Sequence, residues 1–194
     1  DGIRQSIAEM ERRIATAQII MLPGGLSGGD EPEGSGKLIA AAFRNPVLAE
    51  AVHQLLYQRD GLMLGICNGF QALIKLGLLP WGEISEPTAD SPTLALNRIG
   101  RHVSCYVTTR VDSNRSPWLQ FTNPGDLHRI PVSHGEGRFV ASEQQIIDLA
   151  KGGQIATRYV DLNGQPSYRT AFNPSGSLAA VEGIVCVVQV QQQA

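Results

Sequence analysis

The sequence predicts an α/β fold, a parallel sheet with helices on both faces. Three observations carry that expectation. Two short apolar runs, "AQIIML" (17–22) and "GLMLGI" (61–66), read as buried strands. An amphipathic helical pattern lies between them at 46–58 and another follows at 68–77. Each strand runs into a glycine-rich turn, "PGG" after the first and "GICNG" after the second, which is how strands hand over to helices in such sheets.

Taken in order, residues 3–15 set Ile3, Ile7, Met10 and Ile14 at helical spacing, with charges on the other face. The first strand opens into "PGGLSGGDEPEGSGK" (23–37), a loop rich in glycine with two prolines. Pro46 suits the first position of the helix at 46–58. The helix after the second strand is stopped by Gly77 and then Pro80. Beyond Pro80 the pattern changes to extended segments joined by turns: 102–111, 129–140 and 154–172, with Asn163-Gly164 as a hairpin turn. A capped helix at 142–153 ends on glycine.

Composition narrows the class. Of 194 residues, 42% are hydrophobic and 18% charged, with a net charge of −2. This describes a globular chain of one domain, residues 1–194, with a real core. It leaves no electrostatic footprint for nucleic acid or a membrane surface. No apolar stretch reaches transmembrane length, and the N-terminus has none of the features of a signal peptide. The three cysteines, Cys67, Cys105 and Cys186, are far apart and form no C-x-x-C pair. A reducing, cytoplasmic setting is the expectation.

Gly65-Ile66-Cys67-Asn68-Gly69 has the form of a nucleophile elbow, with cysteine where the usual motif has serine. The thiol sits on a tight strand-to-helix turn, and side chains two residues to either side would collide there. The helix that follows aims its N-terminal N–H groups and positive dipole end at the sulfur. The Asn68 N–H is placed to help hold an oxyanion. A small buried cysteine in a glycine-rich turn is the plain alternative. The loop at 23–37 is no P-loop: Gly36-Lys37 is followed by Leu38, and position 31 is glutamate. In "PVSHGEGRF" (131–139), His134 and Glu136 could offer acid–base chemistry, and no other histidine has metal-ligand spacing to them.

Three stretches in this order, "MLPGGLSGGDEPEGSGK", "GLMLGICNGFQALIKLGLLP" and "PVSHGEGRF", closely resemble the glutaminase domain of phosphoribosylformylglycinamidine (FGAM) synthase. That domain is a class I glutamine amidotransferase of purine biosynthesis. "RNP", "SPWL", "GQIATRYVD" and "NPSGS" extend the resemblance across nearly all of 17–184. It implies a doubly wound, mostly parallel, flavodoxin-like sheet with the elbow in the crevice at its strand ends. It also implies that Cys67 attacks the side-chain amide of glutamine, forming a glutamyl thioester and releasing ammonia. The N–H groups of Gly25 and Asn68 would form the oxyanion hole, and Gln71 would hold the bound glutamine. Ser133, His134, Gly135 and Glu136 match the segment that clasps its α-amino and α-carboxylate groups. The resemblance implies no cofactor in this chain; ATP and Mg belong to a synthetase domain or subunit that aminates formylglycinamide ribonucleotide (FGAR).

The family closes its triad with a histidine and a glutamate, spaced H-x-E, near the C-terminus. Here "LAAVEGI" gives way to "VCVVQVQQQA", 185–194 departs from the family, and no histidine follows His134. The N-terminus is also short of the family's first strand and helix. The expectation is a piece of a longer chain with weak or no glutamine turnover by itself. The alternatives are a non-catalytic amidotransferase-like binding module and an elbow hydrolase or protease of related fold.

Overall fold

The computed structural model describes residues 2–25 and 36–186. Most of the glycine-rich loop (26–35) and the divergent tail (187–194) lie outside the described residues. Among the described residues the chain divides into two compact units, one reaching to Leu78 and including Glu83–Glu86, the other holding Leu79–Gly82 and residues 87–186.

In the first unit, helix α1 (Gly2–Thr16) buries Ile14 and packs against the helix at Pro46–His53. Its last carbonyls do not go to water alone, because Arg59 donates to Ile14 O at 2.7 Å and Ala17 O at 2.8 Å. Strand β1 (Ile19–Leu22) leads to the loop, and helix α2 (Lys37–Phe43) follows it. Asn45 caps helix α3 (Pro46–His53), accepting from Val47 N at 3.0 Å, with Pro46 at the first position. The expected helix at 46–58 keeps its full extent, but its last turn widens into a π-helical segment, Gln54–Gln58. Strand β2 (Leu62–Gly65) pairs parallel with β1, Ile19 opposite Leu62 and Leu22 opposite Gly65. Helix α4 (Asn68–Leu76) lies on both strands and ends on Gly77, whose φ of 83° is the left-handed stop expected of glycine.

The second unit is antiparallel. Strand β3 (Thr93–Ala95) is followed by β4 (Val103–Val111), β5 (Leu127–His134) and β6 (Arg138–Val140). Helix α5 (Glu143–Lys151) starts with a reciprocal capping box between Ser142 and Gln145. Strands β7 (Ile155–Tyr159) and β8 (Val181–Ile184) complete the set. They form a four-stranded sheet in the order β5-β4-β7-β8 and a separate β3-β6 pair, every pairing antiparallel. Val107, Val132, Tyr159 and Ala180 form its core.

A mostly parallel sheet is therefore a correct expectation for the first unit alone: among the described residues β1–β2 is the parallel pair. The physical reason lies in the connections. Residues 112–126 join β4 to β5 without an α-helix to carry the chain back to a parallel start, and the two strands pair antiparallel from Val103 opposite His134 to Arg110 opposite Leu127. Two extended segments are also shorter than their sequence pattern. Residues 129–140 break at 135–137, and 154–172 forms a strand only to Tyr159 before a single Val160–Pro166 bridge. The turn between the bridge partners is closed by Asp161, whose carboxylate accepts from Asn163 N at 2.8 Å and Gln165 N at 3.0 Å.

Glu182 on β8 gives the sheet a pH dependence. The residue is partly buried, but its carboxyl group is enclosed, with Thr157 Oγ1 donating to it at 2.5 Å. Burial pushes the carboxyl pKa up, and the Thr157 bond offsets this in part. A raised folded pKa means that the folded protein holds this proton more tightly than the unfolded chain. The resulting stability is present below the unfolded value and is lost as pH rises through the raised one. Glu182→Gln is expected to stabilise the protein near neutrality and to flatten the curve. Chemical denaturation across pH tests this, and variant and parent curves that run parallel would count against it.

Candidate active site

The elbow is built from the end of β2 and the start of α4. Ile66 N donates to Leu22 O at 3.0 Å, carrying the β1–β2 pairing one residue past the strand. The chain then turns at Cys67, which has φ 53° and ψ −111° and is the N-cap of α4. A side chain at positive φ is strained, and here two local contacts fix it: Gly69 N donates to Ile66 O at 2.9 Å and Gln71 N to Cys67 O at 3.0 Å. The flanking glycines are required by space. A Cβ on Gly65 would stand 2.6 Å from Gly69 O, and one on Gly69 would stand 2.6 Å from the carbonyl carbon of Leu22. The collision expected two residues to either side of the cysteine is thus a property of the fold. The Cys67 thiol is exposed.

The loop after β1 begins beside the sulfur. A Cβ on Gly24 would lie 3.0 Å from Cys67 Cβ and 3.6 Å from Sγ. The next residue, Gly25, has a φ of 137° and open space where a side chain would be. The loop returns at Gly36, where a Cβ would come within 2.6 Å of Ala72 N, so α4 carries the backbone of its far end as well. Asn68 and Gln71, 4% and 5% exposed, are buried on the first turn of α4. The Asn68 amide stands at the first helical position, which has no acceptor within the helix. The Asn68 side-chain oxygen is buried without a hydrogen-bond partner among the described residues. An exposed thiol, backbone glycines and a helix N-terminus are thus brought together within one unit.

The other candidate segment lies in the second unit, at the end of β5. Ser133 is exposed, and its Oγ is 3.0 Å from His102 Nε2. His134 is turned inward. Its Nδ1 is 3.0 Å from Asn97 Oδ1, and its ring fits against Gly137, where a Cβ would be 2.5 Å away. Burial pushes its pKa down, and the nearby His102 acts in the same direction. Gly135 O accepts from Asn97 N at 2.8 Å, and Glu136 is partly buried. His53 stacks on Tyr57 with ring centroids 4.8 Å apart, in keeping with a structural role.

Two side chains that organise this segment have no sequence motif to flag them. Asn97 bonds to three residues of the turn, and Asn173 knots "NPSGS" together. Asn173 Oδ1 accepts from Gly176 N and Ser177 N, both at 3.0 Å, and its Nδ2 donates to Ser177 O at 3.0 Å. Ser177 Oγ then donates to Gly137 O at 3.2 Å and accepts from Phe139 N at 3.0 Å. The "NPSGS" stretch is thus a buried brace. The signal, three polar residues spaced by two with no exposed atom to explain them, is visible only once burial is known.

A cysteine held at positive φ between a parallel strand and a helix defines a class of thiol enzymes and their relatives. The chain belongs to the CobB/CobQ-like glutamine amidotransferase domain family, which it matches over residues 1–187. It is 34% identical over 175 residues to phosphoribosylformylglycinamidine synthase subunit PurQ of Aquifex aeolicus, covering 90% of this chain and 69% of that one. With the PurQ subunit of Trichormus variabilis it shares 36% identity over 171 residues, 88% of this chain and 64% of the other. Among solved structures it is similar to PurLQS from Thermotoga maritima, with a TM-score of 0.60 and 28% identity over 87% of this chain and 65% of that one. The chain spans about two thirds of the length of these relatives.

Proposed function

We propose that this chain is the glutaminase part of FGAM synthase, with Cys67 as its nucleophile. The observation that carries the reading is the exposed thiol at φ 53°, ψ −111° at the N-terminus of α4. The Cys67 sulfur adds to the carboxamide carbon of glutamine, and the carbonyl oxygen takes up negative charge next to the amides of Gly25 and Asn68. The C–N bond breaks, the nitrogen leaves with a proton as ammonia, and a glutamyl thioester remains. Water cleaves the thioester, releasing glutamate and restoring the thiol. Gln71 binds glutamine beside the sulfur, and Ser133–Glu136 hold its α-amino and α-carboxylate groups.

In this reading the β1–β2 pair and its helices belong to a doubly wound, flavodoxin-like sheet. The ammonia passes, in the cytoplasm, to a synthetase domain or subunit, where ATP and Mg drive the amination of FGAR. The names of the PurQ relatives and of PurLQS support that partner. No step of the glutaminase half calls on ATP or a metal.

Of the four histidines, the rings of His53, His102 and His134 are engaged by Tyr57, Ser133 and Asn97, and His128 is exposed on β5, away from the elbow in the sequence and in the other unit. That favours a second reading for these 194 residues on their own: capture without turnover. Protonating the leaving ammonia and activating water both need a base, and its loss costs orders of magnitude.

The test is intact mass after exposure to a diazoketone analogue of glutamine, with ammonia release from glutamine measured in parallel. One adduct per chain, on Cys67, with little ammonia is the expected result. A folded protein that takes up no adduct would end the glutaminase reading. Robust turnover that disappears in His134→Ala would instead identify His134 as the base.

A further inference from the structure

We infer that the side-chain oxygen of Asn68 accepts a hydrogen bond from the amide nitrogen of glutamine. One residue then reads both ends of the carboxamide, its backbone N–H the oxygen and its side chain the nitrogen. The inference rests on the glutamine reading of the elbow and adds a specificity-determining side chain to it.

An asparagine at the start of a helix usually serves as a cap, its side chain accepting from an N–H of the first turn. Asn68 is not used that way. The cap position belongs to Cys67, and Asn68 stands one residue later, at the first helical position. The residue is 4% exposed, and its Oδ1 is buried with no hydrogen-bond partner among the described residues. A buried acceptor left unpaired costs the folded protein its full desolvation, whereas leucine, of similar shape, carries no such cost. Folding alone therefore gives no reason for this amide, and a ligand that donates to it does.

The amide also lies on the right side of the helix. Side chains of an α-helix lean toward its N-terminus, and from the first position that is toward the Cys67 turn. Gly69 lies against Leu22 and Leu73 against Gly65, so that side of α4 belongs to the strands. Around the helix axis Asn68 falls between Gln71 and Ala72, on the flank to which the chain returns at Gly36. The same loop departs at Gly24, in contact with the Cys67 side chain. No hydrogen bond holds Oδ1, so turning it about the two side-chain torsions breaks none.

The chemistry fits a primary amide. Backbone N–H groups can hold the carbonyl oxygen of glutamine, but they offer nothing to the two N–H donors on its nitrogen. Asn68 Oδ1 supplies that acceptor. Glutamate, the product, has no N–H there and would set its charge against the oxygen.

The experiment follows reaction of Cys67 in the full chain with methyl methanethiosulfonate, a small reagent without an amide. The exposed Cys105 is read in the same digest as the reference. Two ligands compete with the reagent: glutamine, and its methyl-ketone isostere, in which a methyl group replaces the amide nitrogen. The quantity read is the ratio of half-protecting concentrations, isostere over glutamine. In Asn68→Leu this ratio is expected to fall about tenfold or more from the parental value. Asn68→Asp keeps an acceptor oxygen and is expected to hold the ratio within about twofold. A loss of structure alone weakens both ligands together and leaves the ratio where it was. Asn68→Ala takes the place of the leucine variant if that one does not fold. An equal ratio in parent and Asn68→Leu overturns the inference and leaves the glutamine reading standing, and so does an equal fall in Asn68→Asp. A parent that neither ligand protects overturns both.

Discussion

Cys67→Gly is expected to abolish covalent capture of the glutamine analogue and at the same time to make the protein more stable. The first half follows from removing the atom that forms the bond, and in nucleophile–base systems losing the nucleophile costs as much as losing the whole set. The second follows from φ 53° and ψ −111°. A non-glycine residue held there costs of order 1–3 kcal/mol, which glycine relieves. Glycine gives back roughly 0.5–1 kcal/mol through the greater freedom of the unfolded chain. The exposed thiol contributes little burial to lose. A net gain of about 1 kcal/mol raises the melting temperature by about 2–4 °C for a chain of this size. Thermal unfolding with and without the analogue measures both halves. An adduct surviving in the variant would remove Cys67 from the chemistry, and a lower melting temperature would mean that the elbow is not strained.

Gly69→Ala is expected to have the largest effect on stability. Its methyl group would stand 2.6 Å from the carbonyl carbon of Leu22, inside the carbonyl group itself, and the obstacle is strand backbone that no rotamer change can move. β1 and α4 must separate, and with them the contacts that carry the parallel pair. A loss of about 3 kcal/mol or more is the expected cost, with adduct formation falling alongside. Gly135→Ala is the control, because its Cβ meets nothing within 4 Å; it is expected to stay within about 0.5 kcal/mol of the parent. Denaturant midpoints of the two variants make the comparison, and similar values would show that the close approach at Gly69 is tolerated.

The parts of the fold legible in the sequence are those whose determinants are local. Ile7, Met10 and Ile14 announce α1 by spacing, Ser142 and Gln145 announce the start of α5, and Gly77 announces the end of α4. The elbow was legible for the same reason, since Gly65, Cys67 and Gly69 interact within five residues. Helix α2 escaped notice because it is seven residues long and starts on Gly36, with no side-chain cap to signal it. Strands β3 and β8 are three and four residues long, too short for a period to emerge. Beyond Pro80 the change to extended segments joined by turns was legible, but which strands pair, and that they form two separate antiparallel sheets, was not, because partners far apart in the chain leave no local pattern. Asn97 could not be read at all. Its partners His134 and Gly137 lie 37 and 40 positions away, and a single asparagine in "ALNRIG" looks like any loop residue.

Gly24 has a consequence of a different kind. The wall beside the sulfur on that side is bare main chain, drawn up to van der Waals contact with the Cys67 side chain. A wall without side chains has no rotamers. At Gly24 it has no side chain to swing aside for a bulky reagent or to fold over a small one. Discrimination among electrophiles on that side is then by size alone, as through a sieve, while recognition of the amino-acid end of a ligand falls to groups farther from the sulfur.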